Sequence, residues 1–135
     1  MGYYSQVTGA IGIKPTIPHS IVVDLINAGY APDEKGNYRG DKDAMLQYDV
    51  NTSETAEGRL TSYSGWAIVG SSEDSYKVYT LMKDVQAIVN MLGTEIYRFL
   101  GYLEIKGEEQ GDLWRIYVKD GKAVEVKPTI VWPED

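Results

Sequence analysis

The chain of 135 residues contains no cysteine and a single histidine. The first absence excludes disulfides, thiol nucleophiles and thiolate zinc sites. A Ser–His–acid triad would depend on His19, and Ser20 cannot supply its nucleophile because neighbouring residues on a helix point apart. The sequence also has no run of about 18 apolar residues that would predict a membrane-spanning helix. Its start, MGYYSQ, lacks the features of a secretion signal. We therefore expect a cytosolic protein.

Basic residues are few, since 13 Lys and Arg face 20 Asp and Glu, which gives a net charge of −7. This balance opposes non-specific binding to phosphate-rich surfaces, which depends on clustered Lys and Arg. We expect neither long nucleic acid nor a membrane as partner. The glycine-rich stretches lack the Gly-Lys-Ser/Thr that a phosphate loop requires, and we predict no cofactor and no metal.

Several carboxylates cluster around one turn near the C-terminal end, namely Glu104, Glu108, Glu109 and Asp112. Paired carboxylates can perform acid–base chemistry or hold Mg²⁺ or Ca²⁺. Acidic residues in a hairpin turn are more often simply solvated. A small carboxylate- or metal-dependent hydrolase that uses Glu108 and Asp112, with or without His19, is therefore an alternative hypothesis.

The last third of the chain alternates apolar and polar residues with period 2, which predicts strands packed on one side of a sheet and open to water on the other. The predicted inward positions are Leu103, Ile105, Trp114, Ile116, Val118, Val124 and Val126. Asp120-Gly121 is a strong signal for a two-residue hairpin turn.

Two amphipathic helices and three earlier strands complete the predicted fold. The helices are expected over 18–28 and along the apolar stripe from Leu81 to Leu92, with Thr80 as N-cap and Gly93 at the end. The strands are expected over 3–14, 45–51 and 59–69, and a long strand over 94–109 follows the second helix. This order predicts an α+β, ferredoxin-like split β-α-β sandwich with both helices on one face and an added C-terminal hairpin strand. We expect one domain over 1–135, a flexible loop over 30–44 and a tail over 129–135.

Tyrosine is abundant, with 11 residues against three Trp and one Phe. Tyrosine offers a large contact area and a hydroxyl group, and it stacks on rings. Several tyrosines and cations fall on the polar phase of the predicted strands, so the sequence predicts a ligand-binding face formed by Tyr4, Tyr102, Lys106, Arg115, Tyr117 and Lys119. The plain alternative is that these tyrosines merely cover a sheet face, where Tyr is a favoured strand residue.

Motifs at both ends of the chain resemble a family of small proteins of unknown function from actinobacteria and their phages. They are the start MGYYSQVTG, the segments YKVY over 76–79 and GEEQGDLWR over 107–115, and the end IVWP over 130–133. The resemblance implies a phage setting and supplies no catalytic residues.

The leading hypothesis is therefore a non-enzymatic phage protein in the host cytosol that blocks a host defence pathway. It would bind a host protein or sequester a small signalling nucleotide, with Arg115, Lys106 and Lys119 on phosphate and Tyr4 or Tyr117 on the base. A homodimer is expected because exposed sheets and strand edges are often covered by symmetric partners. A virion structural or assembly protein is a further alternative.

Overall fold

The computed structural model describes residues 4–37, 42–71, 74–76, 80–93, 95–107, 112–129 and 131–133. For residues 4 and 74–76 it describes the backbone only. The elements are β1 (Tyr4–Ile17), α1 (His19–Asn27), β2 (Ala44–Thr55), β3 (Gly58–Gly70), β4 (Asp74–Tyr76), α2 (Leu81–Leu92), β5 (Arg98–Gly107), β6 (Leu113–Lys119) and β7 (Lys122–Val126). The chain is thus an α+β protein with two helices and an antiparallel sheet.

The sheet has the strand order β2-β3-β1-β5-β6-β7, and the short β4 pairs with the beginning of β1. Every pairing is antiparallel. β1 is the central strand, since it contacts β3 and β4 along one edge and β5 along the other. β1 and β5 approach closely where Gly9 lies opposite Leu103. A Cβ atom on Gly9 would lie 2.6 Å from the carbonyl oxygen of Tyr102, so only glycine fits.

Both helices bury their apolar stripes against the inward side chains of the strands, and one continuous core results. In α2 the five predicted positions are all buried, which confirms the periodicity from Leu81 to Leu92. Core residues of the strands include Val7, Ile11, Ile68, Leu103, Ile105 and Ile116. The outer face of the sheet is not uniform: Met45 and Ala67 are buried on it, whereas its β5–β7 part is exposed.

Several predicted boundaries were wrong. β1 continues through Pro15 to Ile17 instead of ending at Lys14. β4 lies between the predicted strand over 59–69 and the second predicted helix, where the sequence predicted no strand. β5 begins at Arg98, not at residue 94, and residues 108–109 of its predicted end lie outside the described part of the chain. Residues 38–41 of the predicted loop over 30–44 also lie outside the described part of the chain.

The predicted caps of α2 are confirmed in position, with Thr80 at the N-cap and Gly93 at the C-cap, but Thr80 does not act as its residue type predicts. The Thr80 side chain makes no capping bond to its own helix. Instead Asp43 Oδ2 accepts hydrogen bonds from the Thr80 backbone N–H at 3.0 Å and from its hydroxyl at 2.8 Å. Asp84, which is 2% exposed, accepts the Asp43 N–H at 2.6 Å. A residue 37 positions away thus caps the helix, so local sequence could not reveal it.

Candidate binding face

The exposed part of the outer face is set by the register of β5, β6 and β7. Glu104 lies opposite Arg115 and Lys106 opposite Leu113. On the other side of β6, Arg115 lies opposite Val126 and Tyr117 opposite Val124. Directly opposed residues in an antiparallel pair project to the same face. The valines of β7 therefore lie on the outer face, and the prediction that they point into the core was wrong.

The Asp120-Gly121 turn explains this difference. It places Lys119 opposite Lys122 and Val118 opposite Ala123, so Ala123 is the β7 residue that packs against the core. A one-residue change of register moves every side chain to the other face. The turn signal determined the phase of β7 correctly, whereas the apolar character of Val124 and Val126 did not.

Arg115 lies at the centre of this face. Its guanidinium carbon lies 4.2 Å from the centroid of the Tyr102 ring, a cation–π distance. Its Nε donates to Glu104 Oε1 at 3.0 Å, and both side chains remain substantially exposed. Stacking and the ion pair together hold the guanidinium against the sheet surface with its outer side open to solvent.

Apolar side chains surround Arg115. They and the neighbouring backbone form a groove of about 390 Å³, which we call the outer groove, lined by Phe99, Leu100, Gly101, Tyr102, Arg115, Tyr117, Val118 and Val126. Leu100 is 53% exposed and Val126 45%. A second depression of about 250 Å³ shares Arg115 and Val126 and continues toward Trp114 and Pro128. Neighbouring apolar side chains at this exposure are typical of surfaces that contact another molecule.

The six predicted ligand-binding residues do not converge on one point. Tyr102, Arg115 and Tyr117 line the outer groove. Lys119 lies beside Arg98 in an adjoining depression of about 530 Å³, which shares Phe99 and Val118 with the outer groove. Lys106 lies opposite Leu113 at the start of β6. Leu113 is six residues before Lys119 on that strand, so Lys106 and Lys119 are about 20 Å apart.

Tyr4 begins β1, where its backbone pairs with Tyr76. It lies six residues before Ala10, the residue opposite Tyr102. Its backbone is therefore also about 20 Å from the outer groove. The sequence missed Leu100 and Val126 as groove residues, although the hairpin register would have found Val126.

A second polar cluster lies at the other end of β1. His19 Nδ1 accepts the Tyr63 backbone N–H at 3.0 Å, and the two rings stack with their centroids 4.7 Å apart. The Tyr63 hydroxyl donates to the Glu34 carboxylate, which raises the pKa of Tyr63 to about 12. Burial and the nearby Asp33 and Glu34 carboxylates also raise the pKa of Tyr48. Phenols with raised pKa values stay protonated at neutral pH, so neither Tyr48 nor Tyr63 is suited to act as a general base.

Asp112, the one carboxylate of the hydrolase hypothesis that the structure describes, lies far from His19. Glu108 and Glu109 are outside the described residues, and the Asp112 carbonyl accepts the Gly107 N–H at 2.7 Å. Gly107 lies opposite Ser5 at the beginning of β1, whereas His19 follows its end. Twelve strand residues separate those two ends, or roughly 35–40 Å. Among the described residues, no three His, Asp or Glu side chains come together as metal ligands.

These observations define a small α+β protein with an open antiparallel sheet whose exposed face carries an Arg–Tyr stack inside an apolar groove. The chain belongs to a family of unknown function, DUF6205, whose model matches residues 1–135. No curated protein and no solved structure matches it. In the part of the chain that the structure describes, no helix is long and apolar enough to cross a membrane.

Proposed function

We propose that this chain is a non-enzymatic binding protein whose outer groove docks another protein. The observation that carries the proposal is the Arg115 guanidinium, stacked on Tyr102, bonded to Glu104 and surrounded by exposed apolar side chains. Arg and Tyr in an apolar setting are the residue types that dominate the energy of protein–protein interfaces. The strands hold both side chains in place, which lowers the entropy cost of binding.

A protein ligand fits this face better than a small nucleotide does. A phosphate group is usually held by several cationic or N–H donors that converge on it. Here the charge of Arg115 is already shared with Glu104, and Lys106 and Lys119 lie about 20 Å apart along the sheet. Such spacing suits an extended contact surface, so we place the nucleotide hypothesis second.

The phage setting implied by the sequence resemblance makes a host protein the proposed partner. Binding of this chain to that host protein would then block a host defence pathway. A homodimer belongs to the same proposal, with a second copy covering exposed sheet surface. We further propose that β2-β3-β1-β5 is a split β-α-β core of the ferredoxin-like kind, extended by the β6–β7 hairpin; the antiparallel order of these four strands supports this assignment.

The test is native mass spectrometry of the tagged chain recovered from cells that produce it naturally, compared with groove variants. Arg115→Glu and Leu100→Glu should each lower the affinity for a stoichiometric polypeptide by about 30-fold or more, the effect of losing a central interface residue. Lys83→Glu, on an exposed face of α2, makes the same charge change away from the groove. Ile96→Glu is the matched control for Leu100, since Ile96 is also exposed and lies outside the groove.

The outcomes separate the hypotheses. A polypeptide retained by the wild type and by both controls, and lost from both groove variants, supports docking in the outer groove. A bound small molecule in its place would favour the sequestration hypothesis. Equal retention by all variants would place the binding site elsewhere.

A further inference from the structure

The β2–β3 hairpin extends well beyond the rest of the sheet. The last pairing of β3 with β1 is Gly65 opposite Ile17, but the β2–β3 ladder continues to Thr55 opposite Gly58. We call residues 49–64 the arm. Its free length is about 20 Å at 3.3 Å per residue. Residues 49–60 are all exposed, and two-stranded ribbons of this kind are only marginally stable by themselves.

The register shows which backbone groups of the arm point away from the ladder. The Tyr63 N–H points away from β2, because it is donated to His19. Tyr63 lies opposite Val50, and the two residues of such a pair direct their backbone groups the same way, either toward or away from each other. The N–H and C=O of Val50 therefore face the outer edge of β2. By alternation those of Thr52 and Glu54 do so too.

Three other stretches of strand edge are covered by the protein's own groups. His19 occupies the edge of β3 at Tyr63. On β7, Gln86 accepts the Ala123 N–H at 2.8 Å and donates to the Gly121 carbonyl at 3.0 Å. At the base of β2, the Tyr30 carbonyl accepts the Leu46 N–H at 2.7 Å. Proteins commonly protect edges in these ways, because a bare edge is a template for another strand.

The outer edge of the arm along β2 has no such cover. Among the described residues, no side chain or backbone group bonds the outward groups of Val50, Thr52 and Glu54. The strand from Ala44 to Thr55 also contains no Lys, Arg or Pro, the residues that usually discourage edge pairing. We infer that this edge binds an extended segment of another polypeptide by strand addition.

Charge indicates the chemistry of that segment. Asp49 and Glu54 lie near the two ends of the free edge. Only Arg59 opposes them in the arm, at 3.6 Å from Glu54, with both side chains well exposed. Exposed pairs of this kind contribute little, so the arm remains an acidic surface. Opposite charges directly across strands stabilise pairing, which favours a partner strand with two Lys or Arg residues spaced like Asp49 and Glu54.

A second copy of the chain fits less well. Two-fold antiparallel pairing through the outward groups, with Thr52 opposite itself, would bring Asp49 and Glu54 of both copies into one seam. Neither edge strand contains a Lys or Arg to offset these four carboxylates, and like charges repel. The inferred occupant is therefore a basic extended segment of a different polypeptide. This site is separate from the outer groove, so either proposal can fail without the other.

The test uses hydrogen exchange, measured by NMR on the full-length protein, with synthetic eight-residue Thr/Val peptides. One peptide carries two lysines five positions apart, and its counterpart carries two glutamates at the same places. At ten times its dissociation constant, the lysine peptide should slow exchange of the Val50, Thr52 and Glu54 amides about tenfold. The glutamate peptide at the same concentration should leave these rates within twofold of those of the free protein.

Two proline variants provide the matched comparison. Thr52→Pro removes one outward N–H and none of the β2–β3 ladder bonds, so it should abolish the protection. Glu125→Pro makes the same change at an outward position of the β7 edge and should leave binding intact. If Thr52→Pro does not fold, Glu54→Lys serves instead and should abolish the preference between the two peptides, because each peptide then meets one like and one opposite charge.

Absence of protection by the lysine peptide would overturn strand addition at this edge. Equal protection by both peptides would overturn the basic character of the partner. Protection that grows with protein concentration in the absence of peptide would identify the occupant as a second copy and overturn the assignment to another polypeptide.

Discussion

Replacing Asp43 with alanine should measurably weaken the fold, because this side chain caps a helix from a distant part of the chain. The variant loses the carboxylate that accepts the Thr80 N–H and hydroxyl at the start of α2. Loss of an N-cap costs about 1 kcal/mol, and loss of a negative charge at a helix N-terminus a further 0.3–1 kcal/mol or so. The Thr80 hydroxyl keeps Asp84 Oδ2 as an acceptor at 2.8 Å, so it adds no further loss. We therefore expect a decrease of about 1.5–2 kcal/mol in the free energy of unfolding.

Urea denaturation followed by tryptophan fluorescence measures this decrease. With a denaturant slope of about 2 kcal/mol/M, the midpoint should fall by about 1 M at unchanged slope. Asp49→Ala is the matched control, since Asp49 is an exposed aspartate on β2, the strand that begins directly after Asp43, and its effect should stay within about 0.5 kcal/mol. A midpoint shift for Asp43→Ala no larger than that of the control would refute the capping role.

Two further outcomes are expected from the geometry. Because hydrogen bonding to Glu34 raises the pKa of Tyr63 to about 12, this bond's stabilisation is complete below the ordinary tyrosine pKa of about 10 and is lost as the pH rises through 12. Tyrosinate absorbance at 295 nm should therefore show a late-titrating group that disappears in Tyr63→Phe; its persistence there would contradict the assignment. Gly9→Ala should destabilise the fold by several kcal/mol in thermal unfolding, since it adds a backbone clash at Tyr102 to the strain of a positive φ. Gly36→Ala has a similar φ and open space, so it should cost only about 1–2 kcal/mol, and equal effects of the two variants would show that the clash is unimportant.

The periodicity of apolar residues correctly predicted those helices and strands that bury one face against the core. The stripe from Leu81 to Leu92 needs only one buried face, and the alternation through Leu103 and Ile105 needs only one inward side. Both therefore survive in the structure. The predicted orientation of β7 was wrong because it followed the hydrophobicity of Val124 and Val126. The register of a hairpin strand is set by its turn, here Asp120-Gly121. β4 has three residues, which is too short to produce a period.

The candidate binding face was only partly predictable for the same reason. Alternation correctly placed Tyr102, Arg115 and Tyr117 on one face of their strands. The stacking of Arg115 on Tyr102 depends on how two strands are registered, and the covering of β7 by Gln86 joins residues 37 positions apart. Such contacts are properties of the assembled sheet, and no local window of sequence contains them.

The central position of β1 has a consequence for biosynthesis. β1 is synthesised before its long partner β5, and about 100 residues separate the opposed residues Val7 and Ile105. At 5–20 residues per second, the nascent strand waits on the order of ten seconds for that partner. Until β5 is synthesised, β1 can pair only with β3 and β4. The part of the sheet formed by β5, β6 and β7 is therefore completed last, and the core stays incomplete until most of the chain has been made.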